Sequence, residues 1–161
     1  MPDVSFTEAR EQDVETIIRL RQKIWATTYR GIYPDEMIDA FDWDWHREKE
    51  LVRIQHPDYA EYLILCGSSA IGYLILRKGE EILLQSMYIS AEHQRQGIGT
   101  AAFAFIRQYC QKKCADSFIC HCQPENTGAR TFYERMGGII IGQNTGNDAR
   151  WMDSVIYRFT L

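Results

Sequence analysis

Gln94-Arg95-Gln96-Gly97-Ile98-Gly99-Thr100 is the stretch on which the reading of this chain turns. It joins a strand-like run, Glu81–Ile89, to a segment in which Ile98, Ala101, Ala102, Phe105, Ile106, Tyr109 and Cys110 keep the i, i+3, i+4, i+7 rhythm of a half-buried helix. Two glycines let peptide N–H groups approach an anion closely, and the first helical turn adds unpaired donors and the positive end of a dipole. A pyrophosphate fits such a loop, and Arg95 concentrates positive charge beside it. An isolated G-x-G is also commonly just a tight turn that holds nothing. Gly97-x-Gly99-x-x-Ala102 meets the dinucleotide pattern G-x-G-x-x-[GA] as well, but its surroundings argue against a nicotinamide enzyme. Seven residues part Ile89 from Gly97, the preceding strands do not alternate with helices, and about 60 residues remain downstream, too few for the rest of a doubly wound sheet.

Working outward, Val4–Ala9 reads as a strand ending where Asp13 can cap a helix, and that helix runs from about Val14 to Tyr29, stopped by Gly31. A second helical stretch covers Pro34–Gln55 and closes at His56-Pro57. Tyr62–Cys66, Ala70–Arg77 and Glu81–Ile89 are strand-like and joined by short polar connections, which predicts an antiparallel meander. Beyond the strong helix, Ser117–Cys122 reads as a strand, Asn126–Met136 as a helix, and Ile139–Gln143 and Trp151–Leu161 as closing strands around a Gly/Asn-rich turn. The order β-α-α-β-β-β-α-β-α-β-β predicts one α/β (α+β) domain over residues 1–161, a mixed, mostly antiparallel sheet of about seven strands with four or so helices packed on it.

Composition narrows the partners. The net charge of −4 comes with no Lys/Arg run, so nucleic acid is not an expected partner. No leader-like apolar segment or membrane-length run stands in the sequence, and five cysteines form an odd set, so the expectation is a cytoplasmic protein with reduced thiols and no membrane association. Cys120-His121-Cys122 with Cys110 and Cys114 invites a metal reading, yet strand alternation turns His121 away from the face of its two neighbours, and no metal is expected.

With Gln94, Gly97 and Gly99 in place, the chain resembles the GNAT acetyltransferase superfamily, whose signature is [QR]-x-x-G-x-[GA]. A second segment agrees independently: Asn126-x-x-Ala129-x-x-Phe132-Tyr133-Glu134-Arg135-x-Gly137 is similar to the later family motif N-x-x-A-x-x-[LF]-Y-x-[KR]-x-G. The resemblance implies acetyl-CoA as cofactor, with Gln94, Arg95, Gln96, Gly97, Ile98, Gly99 and Thr100 around its diphosphate. It further implies a central splay between Glu81–Ile89 and Ser117–Cys122 where Met87, Tyr88 and Ile89 hold the pantetheine arm like an added strand, assisted by Asn126 and Ala129. The uneven alternation from Ile82 to Tyr88 is compatible with a bulge there.

The implied activity is transfer of an acetyl group to a primary amine, of a small molecule such as a polyamine or of a peptide, by direct attack in a ternary complex. An alkyl amine has a pKa of about 10.4, so at pH 7 a base must take its proton, and the leaving thiolate benefits from an acid. Tyr133 is the expected acid by family position, although Ala129, Phe132, Tyr133 and Met136 also form an apolar helical stripe in which a tyrosine is ordinarily core. Glu81 and His121 are the candidate bases, with Gln85 able to position a water. Trp25, Tyr29 and Tyr33, among acidic residues from Asp35 to Asp44, are expected to border the acceptor, with Asp153 and the Gly142–Asn147 turn completing the pocket by family position. Carboxylates in such places are more commonly solvated helix-surface residues and caps. A non-catalytic CoA-sensing or partner-binding domain stays open as the alternative, as does oligomeric state, a homodimer included.

Overall fold

The computed structural model describes residues 2–161. Its strands are β1 (Val4–Glu8), β2 (Tyr59–Cys66), β3 (Ser69–Arg77), β4 (Ile82–Ile89), β5 (Ser117–Cys122), β6 (Ile139–Asn144) and β7 (Ser154–Thr160). Five helices accompany them: α1 (Val14–Thr28), α2 (Asp35–Asp39), α3 (Trp43–Gln55), α4 (Ile98–Lys112) and α5 (Thr127–Arg135). The sheet order is β1-β2-β3-β4-β5-β7-β6, and every neighbouring pair is antiparallel except β4 and β5. This is the mixed, mostly antiparallel seven-stranded architecture that the element order predicts.

Strand alternation distributes the core to both faces. On β3, Leu74 and Leu76 join Ile98, Ala102, Phe103 and Ile106 of α4 and Phe118 and Phe159 of the sheet. Tyr73 and Ile75 point the other way and pack with Leu63 and Ile17 of α1. Each fully buried Ile, Leu or Phe in these layers contributes about 1.5–3 kcal/mol relative to exposure. Two aromatic stacks tie the α4 face together, Phe118 on Phe159 at 4.7 Å and Phe6 on Phe105 at 4.6 Å between centroids.

Local chemistry corrects the sequence reading in three places. Pro34–Gln55 is not one helix: the chain leaves α2 at Ala40 and restarts at Asp42, whose carboxylate accepts the Trp45 N–H at 3.0 Å. That N-cap satisfies an otherwise orphan donor of α3, which favours a break over a continuous helix. Asp13 does not cap α1, because its carboxylate instead accepts the Arg10 N–H at 2.9 Å across a short 3-10 turn, Glu11–Asp13. The last strand begins at Ser154 rather than Trp151, since Arg150–Met152 forms a 3-10 turn. Among the described residues no helix is long and apolar enough to cross a membrane.

Candidate active site

β4 pairs with β3 throughout its length, but the register shifts so that Ile75 faces Ser86 while Leu76 faces Leu84. Gln85 is the extra residue, the bulge that the uneven alternation suggests. On its other side β4 pairs with β5 only from Ile82–Leu84 to Phe118–Cys120. Past those residues the two strands part: β5 stays paired with β7 from Ser117 through Cys122, while the bulge redirects β4. A cleft of about 260 Å³ opens in the gap, with Gln85 to Tyr88 on one wall, His121 to Gln123 on the other, Tyr133 reaching in from α5, and Tyr29, Tyr33 and Ser154 around its mouth.

The glycine loop leads to this cleft from the end of β4. Gln94 donates its side-chain amide to the Ile89 carbonyl at 3.0 Å and its backbone N–H to Ala91 at 3.3 Å, and Gln96 donates its side chain to the Glu92 carbonyl at 2.9 Å. Both side chains therefore shape the loop. Arg95 and Gly97 take positive φ, 60° and 81°, which turns the chain into α4. Such a conformation is costly for a residue other than glycine and, at Arg95, is the kind of strain found at ligand clamps. The first α-helical bond runs from Ala101 N–H to the Gly97 carbonyl, and among the described residues no N–H from Arg95 to Thr100 donates to a protein acceptor. These donors, at the head of a 15-residue helix, suit a diphosphate. Ile98 contributes only its peptide group, its side chain being buried in the core.

Asn126 caps α5, its side-chain oxygen accepting the Ala129 N–H at 3.3 Å, which leaves its carboxamide N–H groups available. On the helix it caps, Tyr133 is 9% exposed and packed by Phe103, Phe132, Tyr157 and Phe159. Burial first, then the neighbouring Cys120 and Cys122, pushes the Tyr133 phenol well above its ordinary range, so it holds its proton at any physiological pH. Core packing and a place in the cleft lining thus coexist in one residue.

The structure separates the two candidate bases. Glu81 precedes β4 at the paired end of the splay and is bound by both arms of Arg158 and by the Ser117 hydroxyl at 2.9 Å. The bond to Arg158 holds its carboxyl below the usual range, and it lines no part of the cleft. Glu81 thus fastens the start of β4 to β7, outside the cleft in which a base would act. His121 lies in the cleft wall with Nδ1 3.3 Å from the Ser154 hydroxyl, and burial lowers its pKa, so the imidazole is neutral at pH 7. Its neighbours Cys120 and Cys122 are buried, Cys122 also bordering the cleft, and burial pushes the Cys122 thiol up to about 11.

Around the mouth, Tyr29 and Tyr33 stack at 4.4 Å, and Tyr29 meets Tyr88 edge-on at 5.8 Å. Trp25 supports Tyr33 from behind at 5.2 Å without lining the cleft. Asp153 also falls outside it: its carboxylate accepts the Asn147 side-chain amide at 2.8 Å and fastens the β6–β7 turn. The acidic cluster is largely committed, with Asp35 and Asp39 paired to Arg30 and Asp42 capping α3. Ser154 and Gln123, the latter donating to the Tyr33 hydroxyl at 3.3 Å, line the cleft without having been singled out. Gln123 follows β5 immediately, where the splay opens, and that position was the signal; Ser154 carries none.

Comparison with known proteins agrees with this geometry. Residues 18–138 match the Acetyltransferase (GNAT) family. The chain is 26% identical over 147 residues to a spermidine N(1)-acetyltransferase of Thermoplasma acidophilum, covering 85% of this chain and 88% of that protein. Among solved structures, the PaiA N-acetyltransferase of Thermoplasma acidophilum in complex with coenzyme A superposes with a TM-score of 0.83 at 21% identity, over 99% of each chain. An acetyltransferase of Thermus thermophilus reaches 0.79 at 15% identity, over 98% of this chain and 97% of its own.

Proposed function

The chain belongs to the GNAT acetyltransferase family, and from that premise we propose how its residues carry an acetyl group from acetyl-CoA to a primary amine. Bound acetyl-CoA supplies the activated acyl carbon and a thiol leaving group. The free N–H groups from Arg95 to Thr100 bind the diphosphate, and the unpaired edge of Met87, Tyr88 and Ile89 holds the pantetheine arm as a partner strand would. Asn126 directs its free amide N–H groups toward the same arm, while Ala129 keeps the surface beside it small.

Neutral His121 takes the proton of the attacking ammonium, directly or through a water that Gln85 orients at the bulge. In the tautomer whose Nδ1–H donates to the Ser154 hydroxyl, Nε2 is left as the accepting nitrogen that a base requires. Tyr133, kept protonated by burial, delivers its phenolic proton to the departing sulfur. Tyr29 and Tyr33 exclude water and guide the amine. The five free cysteines fit a reducing, cytoplasmic setting.

The observation that carries this reading is the parting of β4 and β5 after Leu84 and Cys120, which gives the free strand edge at Met87 and Tyr88, Tyr133 and His121 one common space, with the glycine loop following from the end of β4. Thiol release from acetyl-CoA across a panel of amines tests it. The name of the Thermoplasma relative makes spermidine the first amine to try. Tyr133→Phe is expected to lower kcat about 100-fold or more while acetyl-CoA binding by calorimetry stays intact. Should acetyl-CoA raise the melting temperature while no amine stimulates thiol release, the chain is a CoA-binding module and the transferase reading fails.

A further inference from the structure

Beside the reaction cleft, and sharing Tyr33 with it, runs a more open groove of about 410 Å³ between the α1–α2 connection and the β6–β7 turn. Tyr33 and Trp151 form its aromatic wall, meeting edge-on at 5.6 Å. Two carboxylates reach it, Asp35 and Glu125, and their situations differ. Asp35 is an exposed helix-start residue already paired with Arg30 at 3.2 Å. Glu125 is one-third exposed, its Oε1 is shielded from solvent, and its companion is the Arg150 guanidinium. The Arg150 side chain is itself 82% exposed and belongs to the surface turn Arg150–Met152. Glu125 stands two residues past Gln123, whose side chain donates to the Tyr33 hydroxyl, so one short connection serves both spaces.

The guanidinium that covers Oε1 is mostly solvated and sits on a surface turn, so it is held weakly, exposed ion pairs contributing only about 0–1 kcal/mol, and its departure leaves a carboxylate open to another cation. Aromatic walls favour an alkylammonium in the same place. We propose that Glu125 with Tyr33 and Trp151 forms the subsite for a second, non-reacting ammonium of the acceptor, and that Arg150 holds this subsite until a polyamine displaces it. The reacting nitrogen passes Tyr33 into the cleft while the distal ammonium takes the guanidinium's place at Glu125. Glu125 and Arg150 are then specificity-determining residues, acting in opposite directions on one class of acceptor. The inference rests on the amine-acetylation reading and deepens it.

The test compares two acceptors on the full chain: spermidine, which has further ammonium groups, and butylamine, which has none. Arg150→Ala is expected to lower KM for spermidine about two- to fivefold, and Glu125→Gln to raise it by a similar factor, with kcat and the butylamine constants unchanged. Calorimetric titration of spermidine onto the CoA-loaded chain reads the same subsite without turnover and should move in the same directions. If both variants shift butylamine and spermidine alike, or shift neither, the subsite assignment is wrong while amine acetylation stands. If the unaltered chain releases thiol with neither amine and binds neither, the underlying reading fails and the subsite with it.

Discussion

Tyr133 and His121 face one cleft with opposite proton assignments: burial keeps the phenol protonated, and partial desolvation at the cleft wall lowers the pKa of an imidazole that is already mostly neutral at pH 7. A proposed acid and base are thereby poised without a charged residue between them. The sign of the His121 shift gives a test. Because burial lowers its pKa, the neutral, base-competent form persists below the ordinary histidine value of about 6.5, and only then is lost as the imidazole gains a proton. The acid limb of kcat/KM is therefore expected to have its midpoint below that value, and to disappear in His121→Gln together with about 100-fold in rate. A limb that survives the substitution unchanged would remove His121 from the mechanism. Tyr133 was legible beforehand because a helical motif carries it at fixed local spacing. The fate of Glu81 was not, because its partner Arg158 lies far along the chain and meets it only through the β5–β7 ladder.

At the scale of elements, the glycine loop is held between α4 and α5 by close packing as well as by turn geometry. A Cβ added at Gly99 would lie 2.9 Å from the Phe132 ring, and that ring is itself fixed edge-on to Phe103 at 5.3 Å. The second glycine of the motif is thus a packing requirement between two helices, in addition to any approach of an anion to the loop. Gly99→Ala is expected to destabilise the fold by about 1–3 kcal/mol, the range for overpacking. Adding Phe132→Leu should recover part of the loss, so urea melts of the single and double variants would show coupling. Strict additivity of the two substitutions would disprove the contact. Helix and strand periods made α1, α4 and β5 legible to within a residue or two, whereas the break between α2 and α3 was not. There the apolar and polar pattern runs on unbroken, and only the bond from Trp45 N–H to Asp42 reveals where the second helix begins.

Across the whole molecule, the α1–α3 layer is fastened to the sheet by a buried polar network that no sequence pattern announces. Arg21 of α1 donates to the Tyr73 hydroxyl of β3 at 2.9 Å and to Glu50 of α3 at 2.5 Å, Arg53 adds a bond to Glu50 at 2.8 Å, and Glu61 of β2 packs against Glu50. Two buried carboxyls in contact cannot both ionise without large cost. Burial alone would raise Glu50, but a proton on the neighbouring Glu61 and the nearby Arg21 and Arg53 hold it ionised, while burial and the adjacent Glu50 charge keep Glu61 protonated far above the usual carboxyl range; that proton also answers for the Glu61 oxygens, which no other protein donor reaches. Unfolding at neutral pH therefore releases the Glu61 proton. Its contribution to stability is fully present below about pH 4.3, the unfolded value, and declines as pH rises toward the raised folded value, by up to ~1.4 kcal/mol per pH unit. Glu61→Gln keeps a donor for Glu50 but has no proton to release. The variant is expected to lose less stability than the unaltered chain between pH 6 and pH 9, and to melt higher at the alkaline end; parallel pH profiles from urea melts of the two proteins would show that Glu61 is ionised in the folded state and that the arginines, not a shared proton, hold the layers together.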